Sequence, residues 1–150
     1  MGFLGNLFKK KAIHAKQAVE KMVNRPEMQA SIAVSVALAG ADGTIDQDEL
    51  DTIDGMLETD HSIADFRQEA QIELQHYKDV FKKVGMPRLL MEAEEMIEKI
   101  AHDPAACRRV MSYAASVAAK GGIDEHEEKM LRKFAKILGQ SYEEHVGVSN

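Results

Sequence analysis

The chain has 150 residues, 45% of them hydrophobic and 5% aromatic with no Trp, and a formal net charge of −6. That apolar share excludes a disordered chain and fits one domain with one core, built from Ala, Val, Ile, Leu and the nine Met. A single cysteine, Cys107, excludes an internal disulfide framework and suits a reducing compartment.

No apolar run approaches the roughly 20 residues of a membrane span. Met1–Lys11 is too short and too interrupted for the apolar region of a secretory signal. The expectation is a cytoplasmic protein. Met1–Arg25 carries six basic residues against Glu20 alone, and the remainder is strongly acidic. An acidic body repels nucleic acid and attracts cations.

Taken in chain order, almost everything repeats with the period of a helix. Residues 1–25 read as a basic amphipathic N-terminal helix with Leu4, Leu7, Phe8, Ala15, Ala18, Val19 and Met22 on one face. Phe3, Leu4, Leu7 and Phe8 suit a lipid interface, and Lys9, Lys10 and Lys11 suit its charge. The segment is therefore a candidate contact with the inner face of the membrane or with a partner; docking on the acidic body is the plainer alternative. Arg25-Pro26 then breaks the chain, and residues 26–150 form the helical domain.

From Glu27 to Ala41 the pattern is apolar on nearly every side, which predicts a helix buried all round. A turn at Gly43 leads to a helix from Gln47 with Leu50, Ile53 and Leu57 inward. Thr59–Ser62 reads as a stop followed by a new cap. Phe66, Ala70, Leu74, Tyr77, Phe81 and Val84 stripe the next helix, and Gly85 and Pro87 end it and start another. Asp103-Pro104 begins a second small-residue helix, a cap followed by a proline in the first turn. Gly121-Gly122 breaks that helix, and Met130, Leu131, Phe134, Ile137 and Leu138 mark the one after, with a short turn at Ser141–His145. The fold class expected is all-α, a single-domain bundle of about seven helices.

Two stretches repeat. Ala39–Glu49 and Val117–Glu127 each run from a small-residue helix through a glycine turn into Ile-Asp-x-x-Glu, with Asp46 and Asp124 standing 78 residues apart. Two helix–loop–helix units related by a pseudo-two-fold axis would follow, their buried helices packed together. Asp46 and Asp124 sit at N-cap positions with Glu49 and Glu127 three residues on, the spacing of a capping box. Capping does not account for Asp42, nor for the crowding of Asp46, Asp48, Glu49 and Asp51. Oxygen ligands at this density suit a hard divalent ion such as Ca²⁺, Mg²⁺ or Mn²⁺. Asp42–Glu49 also matches the second half of an EF-hand loop, but Leu38 and Gly40 stand where the first ligands belong.

At these residues the chain resembles the TerB family of tellurite-resistance proteins, whose units carry Ala-x-x-Asp-Gly-x-apolar-(Asp/Ser)-x-x-Glu. The first unit matches throughout; the second keeps Gly121, Ile123, Asp124 and Glu127 but has Lys120 at the first Asp. The resemblance implies a non-enzymatic stress-response protein working with a protein partner. It also implies a divalent-cation site at Asp42, Asp46, Glu49, Asp124 and Glu127. Lys120 is this chain's own departure from the motif and bears on the second half of that site, its ammonium expected to take part of the cation's place beside Asp42. The alternative is a metal-free helical adaptor whose acids only cap helices.

The remaining motifs have plainer readings. His126-Glu127 begins like a zincin motif, but Met130 replaces the second His. Glu58–His61 and Glu73–His76 have di-iron spacing but read as surface pairs. Cys107 lies in the first turn of a helix beside Arg108 and Arg109, a setting that favours a thiolate, against the commoner packing role. No catalytic constellation is visible.

Overall fold

The computed structural model describes residues 10–149. Phe3, Leu4, Leu7, Phe8 and Lys9 lie outside the described residues, and only Lys10 and Lys11 of the expected contact segment fall within them.

The described residues form seven α-helices and one two-stranded sheet. Helix α1, Arg25–Ala39, starts at Asn24, whose side chain accepts from the Glu27 amide at 3.0 Å, with Pro26 in the first turn. From Met28 on, nearly every residue of α1 is buried, as a helix apolar on all sides must be. Around it pack α2 (Gln47–Thr59), α3 (Arg67–Lys83), α4 (Met86–Ile100), α5 (Pro104–Gly121) and α6 (Glu125–Ile137). The two small-residue helices α1 and α5 lie against each other, which alanine-rich faces permit.

A 3₁₀ turn, His61–Phe66, follows α2, where the Asp60 carboxylate accepts from the Ser62 amide and hydroxyl at 2.9 and 2.7 Å. Asp103 caps α5 through the amides of Ala105 and Ala106. A last short helix, α7 (Tyr142–His145), runs directly into strand β2, Val146–Val148.

The core is aliphatic, with Met22, Met28, Met56 and Met111 buried. Tyr77, Tyr113 and Phe134 are also fully enclosed, so the few aromatics contribute more than the aliphatic expectation allowed.

The N-terminal region departs from expectation. Within the described residues, 10–24 contain no helix. Ile13–Ala15 form strand β1, antiparallel to β2 with Ile13 opposite Val148 and Ala15 opposite Val146. Ile13 and Met22 are buried singly, and the Met22 amide donates to the Ser62 carbonyl. Of the described residues in the stripe drawn for a helix, Met22 is buried, Ala15 and Val19 are half-buried and Ala18 is exposed, while the second anchor, Ile13, lies outside that stripe. A strand partner at the far end of the sequence satisfies the backbone that a helix would have satisfied internally.

Candidate functional site

The two glycine turns meet at one end of the bundle. At the first, Gly43 takes φ +95°, which a Cβ disfavours, and Asp42 Oδ1 accepts from both the amide and the hydroxyl of Thr44 at 3.0 Å. Asp46 then caps α2, accepting from the Asp48 amide at 2.7 Å. At the second turn Asp124 accepts from the Glu127 amide at 2.8 Å and Glu127 Oε1 from the Asp124 amide at 3.2 Å, a complete capping box.

The repeat is therefore not symmetric in its capping. Glu49, the counterpart of Glu127, turns to an ammonium instead. Lys10 Nζ lies 3.3 Å from Glu49 Oε1 and 3.1 Å from Glu127 Oε1. Glu127 is only 6% exposed, and the two carboxyls are also within hydrogen-bonding reach of each other. Burial, together with the neighbouring Glu49 charge, pushes the Glu127 carboxyl up to about 7. Burial raises Glu49 in the same direction against the pull of Lys10. Burial works against the Lys10 charge, but Glu127 and Glu49 outweigh it and hold the ammonium above its ordinary value.

Lys10, Asp42, Thr44, Asp46, Glu49 and Asp124 line one cleft of about 130 Å³. An adjoining cavity of about 30 Å³, room for a water or two, lies between Lys10, Glu49, Glu127 and the α1–α5 seam. The structure thus brings all five acids expected at the site to the same end of the bundle. It does not gather them into a cage: among the described residues no three His, Cys, Asp or Glu side chains are placed to hold a metal ion together. Asp46 and Asp124 are engaged with helix amides, Asp42 with Thr44, and Glu49 and Glu127 with Lys10.

Lys120 does not play the part expected of it. It points to solvent, and the ammonium that enters the acidic region comes from Lys10. The sequence puts Lys10 on an N-terminal helix that contacts a membrane or partner or docks on the acidic body, and the extended course of the N-terminal chain carries it here. The backbone shows how. Lys11 and Ile123 exchange two hydrogen bonds, 2.9 and 3.0 Å, which seat Lys10 over the second turn, and Lys11 pairs with Glu128. Gly122 makes room: a Cβ there would stand 2.8 Å from the Lys11 carbonyl oxygen.

The other motifs resolve as packing or surface pairs. Cys107 is buried, its thiol donating to the Ile100 carbonyl, and burial with the nearby Asp103 charge raises its pKa, so helix position does not yield a thiolate. His76 pairs with Glu92 on the surface, while Glu73 accepts from Gln29. His126 is exposed beside Met130.

No curated protein and no solved structure matches the chain. The family model of tellurite resistance protein TerB matches residues 28–148, from the start of α1 to the end of β2, including both acidic turns. By that match, over most of its length, the chain belongs to the TerB family.

Proposed function

We propose that this chain is a non-enzymatic, cation-responsive module of a tellurite-resistance or stress response, with the acidic end of the bundle as its working site. The observation that carries this reading is the convergence of Glu49 and Glu127, from turns 78 residues apart in sequence, on one positive charge. Lys10 is a stand-in cation: it marks a place where two carboxyls already hold an ion and where its single charge leaves the pair under-neutralised.

The donor set is all oxygen, which fits Ca²⁺, Mg²⁺ or Mn²⁺ better than a soft metal. Glu49 and Glu127 would hold such an ion, with Asp42, Asp46 and Asp124 at the rim of the same cleft adding field. A bound divalent ion would bring two positive charges to the carboxyl pair in place of the one that Lys10 supplies. The chain's own part is to position the acids: Gly43 and Gly122 turn the backbone, Asp46 and Asp124 fix the helix starts, and burial keeps Glu127 out of bulk solvent.

Function would then lie in contact with a protein partner of a stress-response complex, with the basic N-terminal segment Phe3–Lys11 as a second, membrane-facing surface. The acidic body disfavours nucleic acid. The proposed location is the cytoplasm, against the inner face of the membrane. Among the described residues no helix is long and apolar enough to cross a membrane.

Thermal unfolding in CaCl₂, MgCl₂ and MnCl₂ tests the site. An ion that binds the folded state alone adds about 2.7 kcal/mol at a hundredfold its dissociation constant. That gain should vanish in the Glu49→Gln, Glu127→Gln double variant. Melting temperatures indifferent to all three salts would discard the cation reading. They would leave the second reading, a metal-free adaptor, which draws support from the helix amides already bonded to Asp46 and Asp124.

A further inference from the structure

The N-terminal chain is held to the body in two separate places. Downstream, Ile13 is buried, β1 is paired with β2, the Ala12 carbonyl accepts from the Ser149 amide, and the Lys16 amide donates to the His145 carbonyl. Upstream, the hold is lighter. Lys10 reaches Glu49 and Glu127, Lys11 exchanges two backbone hydrogen bonds with Ile123, and the half-exposed Lys11 ammonium meets Glu128. The upstream hold is centred on the two carboxyls that the cation reading assigns to an ion.

An ammonium at 3.1 and 3.3 Å from two carboxylates and a divalent ion on the same two oxygens cannot coexist. The two cations would lie within a few ångströms of each other in a partly buried place, where repulsion is little screened. We infer that Lys10 is a tethered competitor for the cation: a divalent ion bound by Glu49 and Glu127 expels the Lys10 ammonium and opens the Lys11–Ile123 pairing. Lys10 and Lys11 are then released while β1 stays in place. The site thus converts ion concentration into exposure of Lys10 and Lys11, whose ammonium groups otherwise meet the protein's own acids. This deepens the cation reading and rests on it.

Competition has a measurable signature. If the competent state, with Lys10 out, is populated at one part in ten or less, removing the competitor tightens apparent ion affinity about tenfold or more. Two variants reach this by different routes. Lys10→Met deletes the ammonium. Gly122→Ala sets a methyl against the Lys11 carbonyl at a position with φ +73°, dislodging the strand with Lys10 and every acid intact. It serves where Lys10→Met, which strips the counter-charge from two partly buried acids, does not fold.

The experiment is calcium and manganese titration of the full chain and both variants by calorimetry, with amide hydrogen exchange of the wild type with and without saturating ion. Expected are dissociation constants about tenfold or more lower in the variants. In the wild type, Lys11 and Ile123 amides should exchange at least tenfold faster with ion bound, while the Lys16 amide is unchanged. Ion binding with Lys11 and Ile123 still protected, or with equal constants in all three proteins, overturns the inference and leaves the cation site standing. Binding by the variants alone makes Lys10 a permanent substitute and overturns the exchange. Binding by none removes the cation reading and the inference together.

Discussion

Glu27 and Arg109 meet as a two-pronged ion pair that joins the first turn of α1 to α5. Arg109 Nε donates to Glu27 Oε2 at 2.8 Å and Nη2 donates to Oε1, while the Val23 amide adds a bond to the same carboxylate at 3.2 Å. Glu27 has no exposure to solvent. The pair fixes the two central helices whose far ends carry the acidic turns.

Breaking one side of that pair leaves a buried charge without a partner, which costs far more than the pair contributes when intact. Arg109→Met should lower unfolding stability by about 3–5 kcal/mol in denaturant titration. Adding Glu27→Met should restore much of the loss. A single variant within about 1 kcal/mol of wild type would contradict the burial of this pair.

The neighbouring glycines at the end of α5 should behave oppositely. Gly121 is in helix with open space where a Cβ would go, so Gly121→Ala should be neutral or stabilise by about 0.4–1 kcal/mol. Gly122→Ala should destabilise by more than that, since it meets both a left-handed φ and the Lys11 carbonyl. Chemical denaturation of the two single variants tests the contrast.

Helix caps can be separated from any ion effect in metal-free buffer. Asp46→Ala and Asp124→Ala should each cost about 1 kcal/mol, as N-cap losses do. In Asp124→Ala the Glu127 amide loses its acceptor, while the bond donated by the residue-124 amide to Glu127 Oε1 does not depend on the aspartate side chain. Asp42→Asn keeps an acceptor for Thr44 and should leave stability nearly unchanged while lowering the charge of the cleft.

The pH dependence of stability should carry the mark of Glu127. Its carboxyl titrates near 4.5 when unfolded and at about 7 when folded, so the folded state holds a proton that the unfolded state has lost. The stabilisation is complete below pH 4.5 and disappears as pH climbs to about 7, at no more than about 1.4 kcal/mol per pH unit. Buried His145 acts in the opposite sense: its lowered pKa gives stability that is present above its ordinary value and lost on acidification. The comparison is therefore wild type against Glu127→Gln, in chelator. The variant should gain on the wild type between pH 4.5 and about 7 and hold a constant lead above. A lead that shrinks with rising pH would mean that Lys10 outweighs burial at this carboxyl.

Cys107 should be inert to a thiol reagent in the native protein and react only on unfolding, because it is buried and its pKa is raised. Labelling rates against denaturant should follow the unfolding curve. Rapid labelling of the native protein would mean that the start of α5 opens to solvent.

Much of the fold is legible from local chemistry. Arg25-Pro26 announces a break, Asp103-Pro104 announces a helix start, Ile-Asp-x-x-Glu announces two more, and the pattern from Glu27 to Ala41, apolar on nearly every side, announces its own burial. Asp46, Glu49, Asp124 and Glu127 stand out because Ile-Asp-x-x-Glu occurs twice, Asp42 because capping does not account for it, and all five come to one end of the bundle. The course of residues 10–24 is not legible in this way. Three-residue strands carry no periodic signal, and the amphipathic spacing that suggested a helix does not hold the chain against pairing with a strand from the far end of the sequence.

The amino-acid sequence by itself determined the helices, their caps and breaks, and the duplication of the acidic turn, since each depends on residues within a few positions of one another. Tertiary structure alone decided where the first residues of the chain run. It paired Ile13 with Val148 and Lys11 with Ile123, and it set the Lys10 ammonium between two carboxyls from different turns. Pairing across more than a hundred residues depends on where the bundle has already placed its last strand and its second turn, and no window of local pattern contains that information.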